Sequence, residues 1–147
     1  MLGRLNDGWR LWEARKRKKF PVGFEDFGLP LWTGTQEVSG RRILLHWEQC
    51  FGDTIQFIRY APLVEAKGAN VALMVQPELA PLLRRVMRDM QVVEAVPAEA
   101  ALQCPLMSLP RAFATGLDTI PPAPIWTADE ARRAIWRARL GASDRPR

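Results

Sequence analysis

Residues 42–60 read RILLHWEQCFGDTIQFIRY, and the fold follows from how that stretch divides. The apolar run Ile43-Leu44-Leu45, leading into His46, has the form of a strand buried on both faces, since a parallel strand covered by helices has no polar side to alternate with. Glu48-Gln49-Cys50 interrupts it with polar residues. Gly52 followed by Asp53-Thr54, ahead of the apolar-periodic segment Ile55 to Tyr60, is a helix-start signal. Strand, tight loop and helix N-terminus in that order predict an α/β unit. In an open α/β sheet ligands sit at such a junction, where backbone N–H groups and the positive helix end converge.

Working outward toward the C-terminus, the helix is expected to run from Asp53 to about Lys67. Pro62 should kink or shorten it, because proline removes an intrahelical bond. Gly68 suits the position just past its end. Asn70 to Val75 is a second buried strand, Pro77 opens a helix through Leu79, Leu82, Leu83, Val86 and Met87, and Val92 to Val96 is a third strand. A β-α-β-α-β order with short connections implies a parallel sheet. A short fourth strand is expected to end near Met107, with Ser108 capping a helix through Phe113. Thr127-Ala128-Asp129-Glu130 is a capping-box pattern opening a last helix to about Leu140, ended by Gly141. The expected class is therefore α/β, a Rossmann-like parallel sheet with flanking helices over residues 42–141, followed by a frayed tail over 142–147.

Toward the N-terminus, residues 1–19 carry Leu5, Trp9 and Trp12 at helical spacing, with Asn6 or Asp7 as caps. One helix cannot bury two tryptophans alone, so it must pack on the domain or on another helix. Residues 20–41 read as a linker, rich in glycine and proline. Its Phe24, Phe27, Leu29, Leu31 and Trp32 suggest an ordered strap over the domain surface.

Composition narrows the function classes. The 147 residues are 48% hydrophobic and 25% charged, an ordinary globular mixture long enough for one core. No apolar run approaches the roughly 20 residues that span a bilayer. The first 19 residues lack the apolar centre of a signal peptide, and a cytoplasmic location is the expectation. Cys50 and Cys104 offer neither a disulfide framework nor a metal spacing. The net charge of +5 sits in one run, Arg15 to Lys19, without which the chain is neutral. Such a run is expected to be a solvated helix end, and nucleic acid is not a favoured partner, because no aromatics interleave it. No G-x-G-x-x-G is present, so no nicotinamide or other cofactor is expected.

The strings HWEQCFGDTIQFIRYAPLV, KGANVALMVQPELAPLL and CPLMSLPRAF resemble a group of bacterial proteins in which tetratricopeptide (TPR) repeats precede a glycosyltransferase-like region related to the heptosyltransferases (glycosyltransferase family 9). The resemblance covers roughly Gly8 to Leu140. It implies the N-terminal, acceptor-side half of a two-domain GT-B transferase, taking a nucleotide-sugar donor and a sugar or protein acceptor. Gly8, Trp9, Leu11, Trp12, Glu13 and Arg15 are similar to the last helix of the TPR array, which implies a protein partner for that helix. No second copy at the repeat period of about 34 residues is visible. Because the donor is held mainly by the other half, which is expected beyond Arg147, the chain alone is expected not to turn over a donor.

Within this stretch Asp53 is the principal candidate. Its carboxylate either accepts a proton from an acceptor hydroxyl or caps the helix. The resemblance favours the first, since Gly52-Asp53 matches the Gly-Asp pair whose aspartate is regarded as the base. Gly52 either lets a ligand approach the backbone or supplies a turn. Glu48, Gln49 and Thr54 belong to the same loop and are substrate-binding candidates. Glu48 and Gln49 could hold acceptor hydroxyls or fasten the loop to its own backbone. Arg59 could meet an anionic group, or pair with Glu48 or Glu65. His46 reads as a hydrogen-bonded structural residue. Cys50, where the family has glycine, lacks an oriented base. Trp47, beside the loop, is the one tryptophan that could stack on a sugar.

Overall fold

The computed structural model describes residues 3–17 and 25–141. Phe24, the Lys18-Lys19 end of the basic run and the 142–147 tail lie outside the described residues. Four parallel strands, β1 (Arg42–His46), β2 (Asn70–Met74), β3 (Gln91–Val93) and β4 (Leu102–Pro105), form one sheet in the order β3-β2-β1-β4. Leu45 stands level with Leu73 on one side and Cys104 on the other, so β1 is central. Its Ile43, Leu44 and Leu45 are completely buried, as the unbroken apolar run required. The α/β class and the parallel pairing are as the alternation of elements implied. The third strand is shorter than expected, ending at Val93 rather than Val96; it lies on the sheet's edge, and Glu94 turns away to pair with Arg84.

The helices between the strands depart from expectation in instructive ways. The first starts at Phe51, two residues before Asp53, as α2 (Phe51–Phe57). It tightens to a 3₁₀ turn at Ile58–Tyr60 and resumes as α3 (Ala61–Glu65) with Pro62 in its first turn. Proline is tolerated there because a first-turn N–H has no intrahelical acceptor anyway. The next helix, α4 (Ala80–Val86), begins at Ala80 rather than at Pro77, and Pro81 stands in its first turn. Beyond β4, a 3₁₀ turn at Leu106–Ser108 leads into α5 (Leu109–Ala112). The last helix, α6 (Glu130–Leu140), is capped by Asp129, whose carboxylate accepts from the Arg132 N–H at 2.8 Å, and not by Thr127. Gly141 ends it at φ +67°, as expected. Every residue of α6 is exposed.

The strap is ordered over its described part. Trp32 is buried, its backbone N–H donates to the Gln103 carbonyl at 2.8 Å, and Gln103 N–H donates to Pro30 O at 3.0 Å. Leu31 thereby pairs in parallel with Gln103 and lengthens the sheet beyond β4. Gly34 then turns the chain with φ +93°, and a Cβ there would stand 2.2 Å from the Ala112 carbonyl oxygen, so no other residue fits.

The N-terminal segment starts as α1 (Leu5–Trp12) and tightens to a 3₁₀ helix over Glu13–Arg17. Neither Asn6 nor Asp7 caps it; Asp7 pairs with Arg4. Trp9 packs edge-on against Phe57 and donates through Nε1 to the Thr115 carbonyl at 3.1 Å. Among the described residues no helix is long and apolar enough to cross a membrane.

Candidate functional site

The chain order fixes where a ligand crevice can form. After β1 the chain moves to β2 and β3 on one side, then returns to place β4 on the other. Two mouths consequently open at the carboxyl ends of the strands, one between β1 and β2 and one at the reversal between β1 and β4. The loop after β1 serves both.

On the β1–β2 side, Trp47, Gln49, Cys50 and Phe51 face Gln76, Pro77 and Glu78 across a groove of about 500 Å³. Gln76 ties its two walls together. Its Oε1 accepts from the Thr54 hydroxyl at 2.8 Å and its Nε2 donates to the Gln49 carbonyl at 3.0 Å. Thr54 and Gln76 are both buried, so this clamp is sealed from solvent. Thr54 is therefore a support of the groove rather than part of its surface. Gln76 was not singled out by sequence reasoning, although a polar residue directly after a buried strand was a signal. Trp47 is half-buried in the wall, with Phe51 and Cys50 exposed at the rim. The indole of Trp47 with the Gln49 carboxamide and the Glu78 carboxylate in the same lining suits a hydroxyl-bearing ligand.

Asp53 stands in the first turn of α2, half-buried, and its Oδ2 accepts the Cys50 N–H at 3.2 Å. This is the reaching-back half of a capping box, with Asp53 three residues into the helix and Cys50 at the cap position. A carboxylate has about four acceptor positions, so one such bond leaves capacity for another donor. Gly52 adopts ordinary helical geometry, and a Cβ there would meet nothing within 4 Å. The turn reading of Gly52 is thus corrected: its backbone needs no glycine, and its surroundings are open.

On the β1–β4 side the mouth is filled. Arg15, read as one member of a solvated run, is 7% exposed, and Glu48 is 2% exposed. The guanidinium grips Glu48 with both arms, Nε to Oε1 at 3.0 Å and Nη2 to Oε2 at 2.7 Å, and Nη2 also donates to Ser108 Oγ at 2.9 Å. Nη1 donates to the Trp12 carbonyl at 3.2 Å and to Glu13 Oε1 at 3.0 Å. All five N–H donors of the arginine are used. Neither sequence alternative for Glu48 holds, since its partner is a side chain 33 residues away. Ser108 stands at the N-cap position of α5, as expected, but its hydroxyl makes no cap bond and accepts from Arg15 instead. Burial works against the Glu13 charge, but Lys16, Arg15 and Ser108 together hold its carboxyl below the usual range.

Two further residues resolve as structural. His46 is completely buried, donates from Nδ1 to the Trp47 carbonyl at 3.1 Å and meets Phe27 of the strap edge-on. Burial pulls its pKa from 6.5 down to about 4; the Trp47 carbonyl opposes this, and the charges of Lys16 and Arg15 add to it. Arg59 meets neither Glu48 nor Glu65; it bonds to the Gln56 carbonyl at 2.8 Å and to the Pro121 carbonyl at 3.3 Å. Burial pushes the Cys104 thiol up to about 12, while Cys50 is exposed. Among the described residues no cluster of His, Cys, Asp and Glu could hold a metal ion.

No protein-family model matches the chain, and no solved structure matches it significantly. Over 99 residues it is 34% identical to the protein FlbA of Caulobacter vibrioides. The aligned stretch is 62% of this chain and 16% of FlbA, so the chain spans about a sixth of that relative's length.

Proposed function

We propose that this chain is the Rossmann-like, acceptor-side half of a GT-B sugar transferase, in which a second α/β half holds a nucleotide-sugar donor. The observation that carries the reading is the β1–loop–α2 junction. Within the E-Q-x-F-G-D-T-I-Q-F-x-R-Y stretch that resembles the TPR-linked, heptosyltransferase-related proteins, Gln49, Cys50 and Phe51 border an open groove at the carboxyl end of a parallel sheet, and Gly52 and Asp53 follow directly in the first turn of α2. In this reading Trp47 and Gln49 receive the acceptor, the open backbone at Gly52 lets it approach, and Asp53 takes the proton from its hydroxyl. Arg59, being engaged with Pro121, positions the far end of the helix rather than a phosphate. Without the donor half the groove binds acceptor but no transfer occurs, because holding donor, acceptor and base together is the larger part of such catalysis. The test is reconstitution with a donor-binding half, following release of nucleoside diphosphate. Asp53→Asn should lower the rate at least ~100-fold with the fold intact. Undiminished turnover in that variant would remove Asp53 from the reaction.

A second reading, a protein-interaction module acting through α1, rests on two exposed apolar residues there, Leu11 at 76% and Trp12 at 39%. It predicts that Trp12→Ala weakens self-association or capture of an added partner. Trp9, being packed on Phe57, would report stability instead.

A further inference from the structure

The filled mouth has the makings of a binding site in its own right. In an open α/β sheet, ligands enter where strand order reverses, which here is the crevice between β1 and β4. Glu48 follows β1 and Ser108 follows β4, and both are more than nine-tenths buried. What they hold is foreign to the sheet: the side chain of Arg15, brought by the N-terminal segment. That segment is attached mainly through charge. Among its described residues, 3–17, Arg15 alone is buried, and its half-buried apolar residues are Leu5 and Trp9, the latter packed against the core. A contact with so little apolar area is readily exchanged for an equivalent one, because what it loses in hydrogen bonds a second guanidinium restores. A smaller cavity of about 190 Å³ lies between Glu13, Lys16 and Arg17 of the segment and Trp32, Ser108 and Arg111 of the domain, and Ser108 is the member of the site that it reaches.

We propose that Glu48 and Ser108 form a guanidinium-binding site at the mouth of the sheet, filled in this structure by the chain's own Arg15, so that a guanidinium-bearing ligand competes with the N-terminal segment and releases it. The class is guanidinium rather than ammonium, since both carboxylate oxygens are matched by a planar fork that a lysine-type head cannot reproduce. The inference is independent of any reaction in the neighbouring groove.

The test uses the full chain. Arg15→Ala should lower the melting temperature by several degrees, and tens of millimolar ethylguanidinium should restore at least half of the loss. Equal concentrations of ethylammonium or sodium chloride should restore little. Binding of ethylguanidinium should fall at least tenfold in Arg15→Ala/Glu48→Gln. Equal rescue by the three salts, or binding unaffected by the second substitution, would overturn the proposal. If Arg15→Ala does not fold, hydrogen exchange in the unaltered chain decides. Amides of residues 9–17 should exchange faster as ethylguanidinium replaces sodium at fixed ionic strength, and an unchanged pattern would overturn it.

Discussion

The two mouths at the carboxyl edge of the sheet share one loop and have opposite fates. Between β1 and β2, Trp47, Gln49 and Cys50 look across an open groove whose walls are pinned from behind by neutral amides and a hydroxyl. Between β1 and β4, Glu48 is sealed under Arg15. The difference lies in which group each mouth places at its base. A buried carboxylate demands a cation, because an isolated charge away from water costs several kcal/mol. A carboxamide is satisfied by the backbone and hydroxyl beside it, so the groove in front of it can stay empty at little cost.

Several substitutions would break or sharpen that contrast. The largest effect is expected at the filled mouth. Arg15→Met or Glu48→Leu alone strands a buried partner and should cost about 3–5 kcal/mol in urea unfolding, whereas the double variant should recover most of it. Equal costs in the single and double variants would mean that the pair is not the source of the demand. Next comes His46, on the same closed side. Its folded pKa, about 4, lies below the unfolded 6.5, so the unfolded chain binds more protons between those values. Its contribution is fully present above pH 6.5 and lost as pH falls toward 4. About 2 kcal/mol should disappear between pH 7 and pH 5, and His46→Gln should flatten that dependence.

At the open groove the costs should be smaller. Thr54→Val deletes one buried hydroxyl and leaves Gln76 short of a donor, for about 1–2 kcal/mol, with loosened exchange protection at Gln49. Gly52→Ala should be the mildest, neutral or stabilising by about 0.5 kcal/mol, since the site is helical and the space open. If it nevertheless abolishes binding in the groove, close approach of a ligand is what the glycine serves.

The sheet was legible in the sequence because burial on both faces writes itself as unbroken apolar runs, Ile43 to Leu45 and Val71 to Leu73. Helix starts were less so. Asp53 looked like a cap, yet Cys50 takes that position, since an aspartate three residues into a helix can reach back to the same N–H. The filled mouth was illegible. Arg15 is one of five consecutive basic residues, and charge alone does not distinguish it from Lys16 or Arg17. What selects it is a carboxylate 33 positions away, after the chain has laid down its strap and first strand. Long-range pairing of this kind leaves no periodicity to read.

The Leu31–Gln103 pairing also bears on how copies of the chain behave toward one another. A parallel sheet left open at its flank offers a row of unmatched amides and carbonyls that can template further strands. Here that flank is met by the single bridge residue Leu31, and the chain then bends away at Gly34, where any larger residue would collide with Ala112. The opposite margin, β3, is only three residues long. Both described borders of the sheet are therefore short templates for an added strand.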